Sequence, residues 1–162
     1  MWDIKEKIGY FAPTLTDFFS RRNTVLQMVV SGLYDTVGLY QKPSYLEKKT
    51  AEEWLQVIGL SDEKDAPFQQ ISLVKQRMVL IARAMIKHPP VLILDEPSTG
   101  LNDQSAALLS QLINKIAKET NTAILYVSHR KEPGLSPEQV LELHVTEEGS
   151  VGVTKFFDSF AG

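Results

Sequence analysis

The first clear apolar run is Ile8-Gly9-Tyr10-Phe11, closed by Ala12-Pro13, which predicts a short buried strand. Asn23 or Thr24 can cap a helix whose apolar face, Val25, Met28, Val29 and Leu33, follows spacings of three and four. Residues 38 to 49 are mixed in character, contain Pro43 and read as a connection. Thr50-Ala51-Glu52-Glu53 has the form of a capping box, with Thr50 accepting from the Glu53 backbone and the Glu53 side chain reaching back. The helix it opens presents Trp54, Leu55 and Ile58, and stops at Gly59, which tolerates a left-handed backbone.

Ser72 is placed to cap the next helix, whose inward stripe is Val74, Met78, Ile81 and Met85 and whose end is set by Pro89-Pro90. Val91 to Leu94 is an unbroken apolar run, the pattern of a parallel strand buried on both faces. Residues 103 to 120 predict a helix with Leu108, Leu109, Leu112, Ile113 and Ile116 inward. Ala123 to Val127 reads as another buried strand and Val140 to Val145 as a third. Residues 147 to 150 then form a turn, Val151 to Thr154 a hairpin partner, and residues 155 to 160 a last helical turn. Strand, helix and strand alternate from 91 to 145, which calls for an α/β fold with right-handed crossovers and a parallel sheet. Residues 20 to 70 are largely helical and read as a lobe inserted between strands.

Composition narrows the function classes. The 162 residues suit one domain, and 43% hydrophobic with 23% charged residues is an ordinary globular balance. The formal charge of −3 gives no basic footprint, so no nucleic-acid partner is expected. The absence of cysteine excludes disulfides, thiolate metal sites and a cysteine nucleophile, and fits a cytoplasmic location. The best candidate membrane span, Thr24 to Tyr40, is 17 residues long and carries Gln27 and Asp35, whereas a span needs about 20 mostly apolar residues. Ser20-Arg21-Arg22 resembles part of a twin-arginine signal, but it is internal, its apolar run is interrupted and no A-x-A site follows. It reads as two solvated arginines before a helix.

Chemistry is expected where parallel strands end, because ligands of open sheets gather at the carboxyl ends. One predicted strand ends in Asp95-Glu96-Pro97. Adjacent acids at such a tip suit Mg²⁺-nucleotide hydrolysis: one carboxylate holds the metal shell and the next orients or deprotonates water. Alone, the two acids would be an ordinary solvated strand end; the run VLILDEPSTGLN gives them context. The neighbouring strand ends in Ser128-His129, where an imidazole can hydrogen-bond a phosphate or the water beside it. His88 and His144 have no partners at metal-ligand spacing and read as structural.

In this order, these residues resemble the nucleotide-binding domain of ABC-type ATPases, from about Ile8 to the end of the chain. VLILDEP resembles the Walker B segment, which implies Asp95 on Mg²⁺ and Glu96 as general base. STGLN resembles the D-loop, with Asn102 at its end, and SHR the switch segment, with His129. AEEWLQVIGL and the run through IARAMIKHP resemble the helical lobe and signature helix, with Ser72 facing a phosphate of the opposite site. SGLYDTVGLY, IARAMIKHPP and the tail further resemble the second ATPase half of molybdenum-transport ATP-binding proteins and their photorepair-type relatives. The resemblance implies a P-loop NTPase-like parallel sheet flanked by helices, incomplete here, with an inserted mainly helical lobe over about 14–88. Residues 1–13 and 89–162 supply the rest of the core. It also implies ATP and Mg²⁺ as cofactors, and as partners a second ATPase domain and a membrane permease. The expected location is the cytoplasm, including the inner face of the cell membrane.

Three departures qualify the resemblance. No P-loop is present: G-x-x-x-x-G-K-[ST] needs glycines five apart, and no two of the nine glycines differ by five. The chain is therefore expected to be a C-terminal part of such a domain, inactive alone and prone to self-associate through uncovered apolar surface. The family's L-S-G-G-Q is Ile71-Ser72-Leu73-Val74-Lys75 here. Two Cβ branches then stand where backbone amides must approach an anion closely. Finally, IGYF leads to Ala12-Pro13-Thr14 with no coupling Gln, and the D-loop ends in Asn102 with Asp103 next. Two readings stay open: part of an ATP-hydrolysing subunit, either transport-related or a soluble non-transport ATPase, or a non-catalytic interaction module.

Overall fold

A computed structural model describes residues 8–13, 22–34, 42–146 and 149–156, with side chains as far as Leu141. Strand β1 (Ile8–Phe11) leads to helix α1 (Val25–Ser31), helix α2 (Tyr45–Val57) and two single 3₁₀ turns, Ser61–Glu63 and Phe68–Gln70. Helix α3 (Leu73–Met85), strand β2 (Val91–Asp95), helix α4 (Asp103–Glu119) and strand β3 (Ala123–Val127) follow. Strands β4 (Gln139–Thr146) and β5 (Gly149–Phe156) close the described chain.

The parallel sheet has the order β1-β2-β3. Ile8 pairs with Val91 and Val91 with Ala123, so each row across the sheet lies on one face. Phe11, Leu92 and Leu94 are buried and join a core with Ile81 and Met85 of α3 and Leu109, Leu112, Ile113 and Ile116 of α4. The opposite face is open. Ile8, Tyr10, Leu125 and Val127 are 36–55% exposed, and Val91 and Ile93 are half-buried. The expectation that β2 and β3 are buried on both faces is thus corrected: the pleat sends alternate residues to a face that the described core does not cover.

Helix α1 begins as expected: Thr24 caps it and Gln27 completes the box. Backbone bonds from Val25 to Ala66 and from Phe68 to Asn23, each 2.9 Å, stitch its start to the turns that precede α3. The start of α2 differs. Ser44, next to Pro43, is the cap and Glu47 reaches back to it, so the helix begins before Thr50. Thr50 lies inside the helix, with its hydroxyl donating to the Leu46 carbonyl at 3.0 Å. Residues 45 to 49, read as connection, are helical, and residues 38 to 41 lie outside the described residues.

Helix α3 buries Ile81 and Met85 of the expected stripe, but the buried face is shifted toward Arg77 and Leu80. Arg77, Leu80, Ile81 and Met85 are buried, while Val74 and Met78 pack only partly against the core. Arg77 can occupy an interior position because Nη1 donates to the Pro97 carbonyl at 2.5 Å. In α4, Leu108 is 45% exposed rather than inward. Strands β4 and β5 form a separate two-stranded antiparallel sheet, so β4 does not extend the parallel one. Lys155 and Phe156 belong to β5 rather than to a helical turn; residues 157 to 160 lie outside the described residues. Among the described residues no helix is long and apolar enough to cross a membrane.

Two outcomes follow from this packing. Gly32 lies where α1 meets α3, and a Cβ there would collide with the Arg83 carbonyl and come within 2.8 Å of Ile86 Cγ2. Gly32→Ala is expected to cost about 1–3 kcal/mol, read as a lower urea midpoint at unchanged slope. The open sheet face should drive self-association. Light scattering should show mass rising with concentration, and Leu125→Lys with Val127→Lys should suppress the rise; a wild-type monomer at every concentration would contradict this.

Candidate functional site

The register between β2 and β3 builds the site. Asp95 pairs with Val127 at the carboxyl ends of the two strands. The next residue on β2 still bonds across the gap, the Glu96 amide donating to the Val127 carbonyl at 2.9 Å. Glu96 then leaves the sheet with φ +47, a left-handed conformation that costs a residue with a Cβ roughly 1–2 kcal/mol. Thr99 holds it there, with Oγ1 3.0 Å and its amide 3.2 Å from the Glu96 carbonyl. Strain held by neighbours on both sides is the form in which strained residues persist at functional positions.

The bend brings Glu96 to His129: Oε1 lies 2.7 Å from Nε2. The imidazole is 91% exposed and the Glu96 side chain 34% exposed. A carboxylate and an imidazole thus meet within hydrogen-bond distance at the edge of open solvent. Asp95 points to the other neighbour and accepts from the Tyr10 hydroxyl at 3.2 Å. Tyr10 was not singled out from the sequence; only the β1–β2 pairing could have revealed it.

Behind this edge lies a buried carboxylate that the sequence did not mark. Glu132 is 7% exposed. Its Oε1 accepts from Ser98 Oγ and Ser128 Oγ, each at 2.8 Å, and lies 3.4 Å from Arg130 Nε. Arg130 also reaches Asp103 at 3.5 Å. Tyr126 borders the same group; burial, the leading cause, pushes its phenol up to about 12.

Asn102 caps α4, with Oδ1 accepting from the Ser105 amide at 2.8 Å. Ser72 stands at the N-cap position of α3 but its hydroxyl makes no capping bond, contrary to expectation; its carbonyl accepts from Gln76 at 2.9 Å. Leu73 lies over the loop after β2, 3.7 Å from where a Cβ on Gly100 would stand. The structure therefore brings Glu96 and His129 together, with Asp95 alongside, and gives Ser72 and Asn102 no bond to that group. Among the described residues no three His, Asp or Glu side chains gather as a ready metal cage. Asp95 still fits Mg²⁺, which is held by one or two carboxylates together with water and phosphate rather than by an all-protein cage.

The family model described as ABC transporter matches residues 1–99. The ABC transporter ATP-binding protein ModF of Escherichia coli is 38% identical over 133 residues, 82% of this chain and 27% of ModF. The high-affinity branched-chain amino acid transport ATP-binding protein LivG of the same organism is 33% identical over 108 residues, covering 64% of this chain and 42% of LivG. The structure of cbiO1 from Clostridium perfringens, part of the ABC transporter complex cbiONQ, superposes with a TM-score of 0.68 at 26% identity, over 80% of this chain and 49% of that one. The chain thus spans between about a quarter and a half of the length of these proteins.

The Tyr126 shift has a definite sign. The fold favours the neutral phenol, so this contribution to stability is whole below pH 10 and is lost as pH climbs through about 12. Phenolate absorbance should show a step near pH 12 that disappears in Tyr126→Phe, and the variant should lose less stability between those pH values. Ionisation of every tyrosine near pH 10 would contradict the assignment.

Proposed function

The chain belongs to the ABC transporter family, and from that premise we propose that it carries the hydrolytic edge of an ATP-binding protein. The observation that supports this reading is the 2.7 Å contact between Glu96 and His129 beside Asp95, at the ends of adjacent parallel strands. In this reading Asp95 is the protein ligand of Mg²⁺, with Tyr10 holding one of its oxygens. When bound, the ion supplies charge neutralisation at the phosphate oxygens. Glu96 is the general base: a carboxylate accepts at both oxygens, so it can take a proton from water while His129 steadies it. His129, exposed at the rim, can exchange its bond to Glu96 for one to the terminal phosphate when ATP is bound. The 162 residues contain no G-x-x-x-x-G-K-[ST], so we assign the phosphate cradle to sequence outside them.

In this proposal Ser72 and Asn102 face a second ATPase domain, and the assembled protein energises transport through a membrane permease at the inner face of the membrane. Molybdenum-type transport is the narrower proposal. It rests on SGLYDTVGLY and IARAMIKHPP and on the identity to ModF, while the likeness to LivG shows that the matched residues do not by themselves select a solute. A second reading, a non-catalytic interaction module, draws support from Leu73 and Val74 at the tip of α3, where bulk opposes close approach of an anion.

The test separates the two. The 162-residue chain is expected to turn over no ATP beyond its Glu96→Gln variant. Joined behind the P-loop-bearing segment of the matching ModF domain, it should hydrolyse ATP, and Glu96→Gln should lower kcat roughly 10²–10⁴-fold while ATP remains bound. A fusion that binds ATP but hydrolyses it no faster than that variant would overturn the hydrolytic reading in favour of the module.

A further inference from the structure

We propose that Glu132 is a positioning residue for the Glu96–His129 pair, a buried latch between the loop after β2 and the loop after β3; the catalytic part of this inference rests on the function proposed above. His129 is 91% exposed, so its own packing cannot fix where it stands. Its place must come from the residues on either side. Both are held: Ser128 Oγ lies 2.8 Å from Glu132 Oε1, and the Arg130 guanidinium lies 3.4 Å from the same oxygen. Ser128 also closes the turn itself, accepting from the Arg130 amide at 3.1 Å.

The other end of the latch reaches the base. Ser98, two residues after Glu96, donates to Glu132 Oε1 at 2.8 Å, and is itself buried, 6% exposed. A single carboxylate oxygen thus gathers donors from both loops. Burying a carboxylate is costly unless it is paired and hydrogen-bonded. Here Arg130 supplies the charge and Ser98 and Ser128 supply the bonds, so loosening either loop would leave Glu132 buried with fewer partners. That cost makes the two loops move as one. Arg130 extends the tie to Asp103 at the start of α4.

The experiment has two arms. In the 162-residue chain, hydrogen exchange at the Arg130 amide is compared between wild type, Glu132→Ala and the milder Ser98→Ala. In the fusion carrying a P-loop, kcat and ATP dissociation constant are measured for the same variants and for Glu132→Gln, which keeps an acceptor oxygen. The expected result is exchange at Arg130 roughly tenfold faster or more, since lost hydrogen bonds to a charged group are worth that much. A kcat lower by roughly 10- to 100-fold should accompany it, with ATP affinity unchanged and partial rescue by Glu132→Gln. Unchanged Arg130 exchange in Ser98→Ala and in any folded Glu132→Ala would overturn the latch. Faster exchange with unchanged kcat in an active fusion would overturn its positioning role. If the wild-type fusion is itself inactive, the ATPase reading fails while the exchange arm still decides the latch.

Discussion

The parallel pairing of β2 with β3 is the constraint on which the site depends. Because Asp95 stands opposite Val127, the residues that follow the two strands emerge side by side. The bond from the Glu96 amide to the Val127 carbonyl carries the ladder one residue past β2. Shift the register by one and every side chain changes face; Leu92 and Leu94 would leave the core, and Glu96 would no longer meet His129. The apolar burial that holds the sheet against α3 and α4 and the geometry of the acid–imidazole pair are therefore secured by the same alignment.

Geometry alone does not make the pair persist, because both side chains reach solvent and a solvent-exposed polar contact is worth little. Its precision comes from what lies beneath it. Thr99 and Val127 hold the bent backbone of Glu96. Arg77, sent inward from α3, grips the Pro97 carbonyl directly after it. Glu132 collects Ser98 and Ser128. The loops after β2 and β3 are thus tied down by buried polar contacts beside the partial apolar packing of Leu101 and Leu135, which leaves the rim exposed while keeping its residues in place.

Much of this was legible from residue pattern. The four-residue run IGYF, the run VLIL and the period of α4 gave three elements close to their observed bounds, and Asp95, Glu96 and His129 stood out by residue type at strand ends. What escaped was whatever depends on contact between distant segments. Arg77 as a core residue is unreadable without Pro97 opposite it. Glu132 looks like any acid in a polar loop until two serines, one from the loop after β2 and one from the loop after β3, converge on it. The displaced start of α2 had a local cause: Ser44 and Glu47 form a capping box as good as the one centred on Thr50, and the earlier box is the one used. β4 shows the same limit from another side. Its apolar run cannot tell a fourth parallel strand from half of an antiparallel hairpin, and the adjacent β5 decides the matter.

The two ends of α3 obey different physics. Along its length α3 is set by burial: Leu80, Ile81 and Met85 contribute to the core, and that requires apolar volume, not a particular sequence. At its first turn the requirement reverses. Anion binding at a helix start needs bare amides and close approach, and Leu73 and Val74 bring side chains instead. Leu73 is 42% exposed and lies over Gly100 of its own chain, so its bulk contributes to packing the α3 tip against the loop after β2. Packing there and phosphate binding there compete for the same few ångströms. The helix can fold while its tip packs on the loop after β2, and the Asp95, Glu96 and His129 edge, built on other elements, is untouched by that exchange.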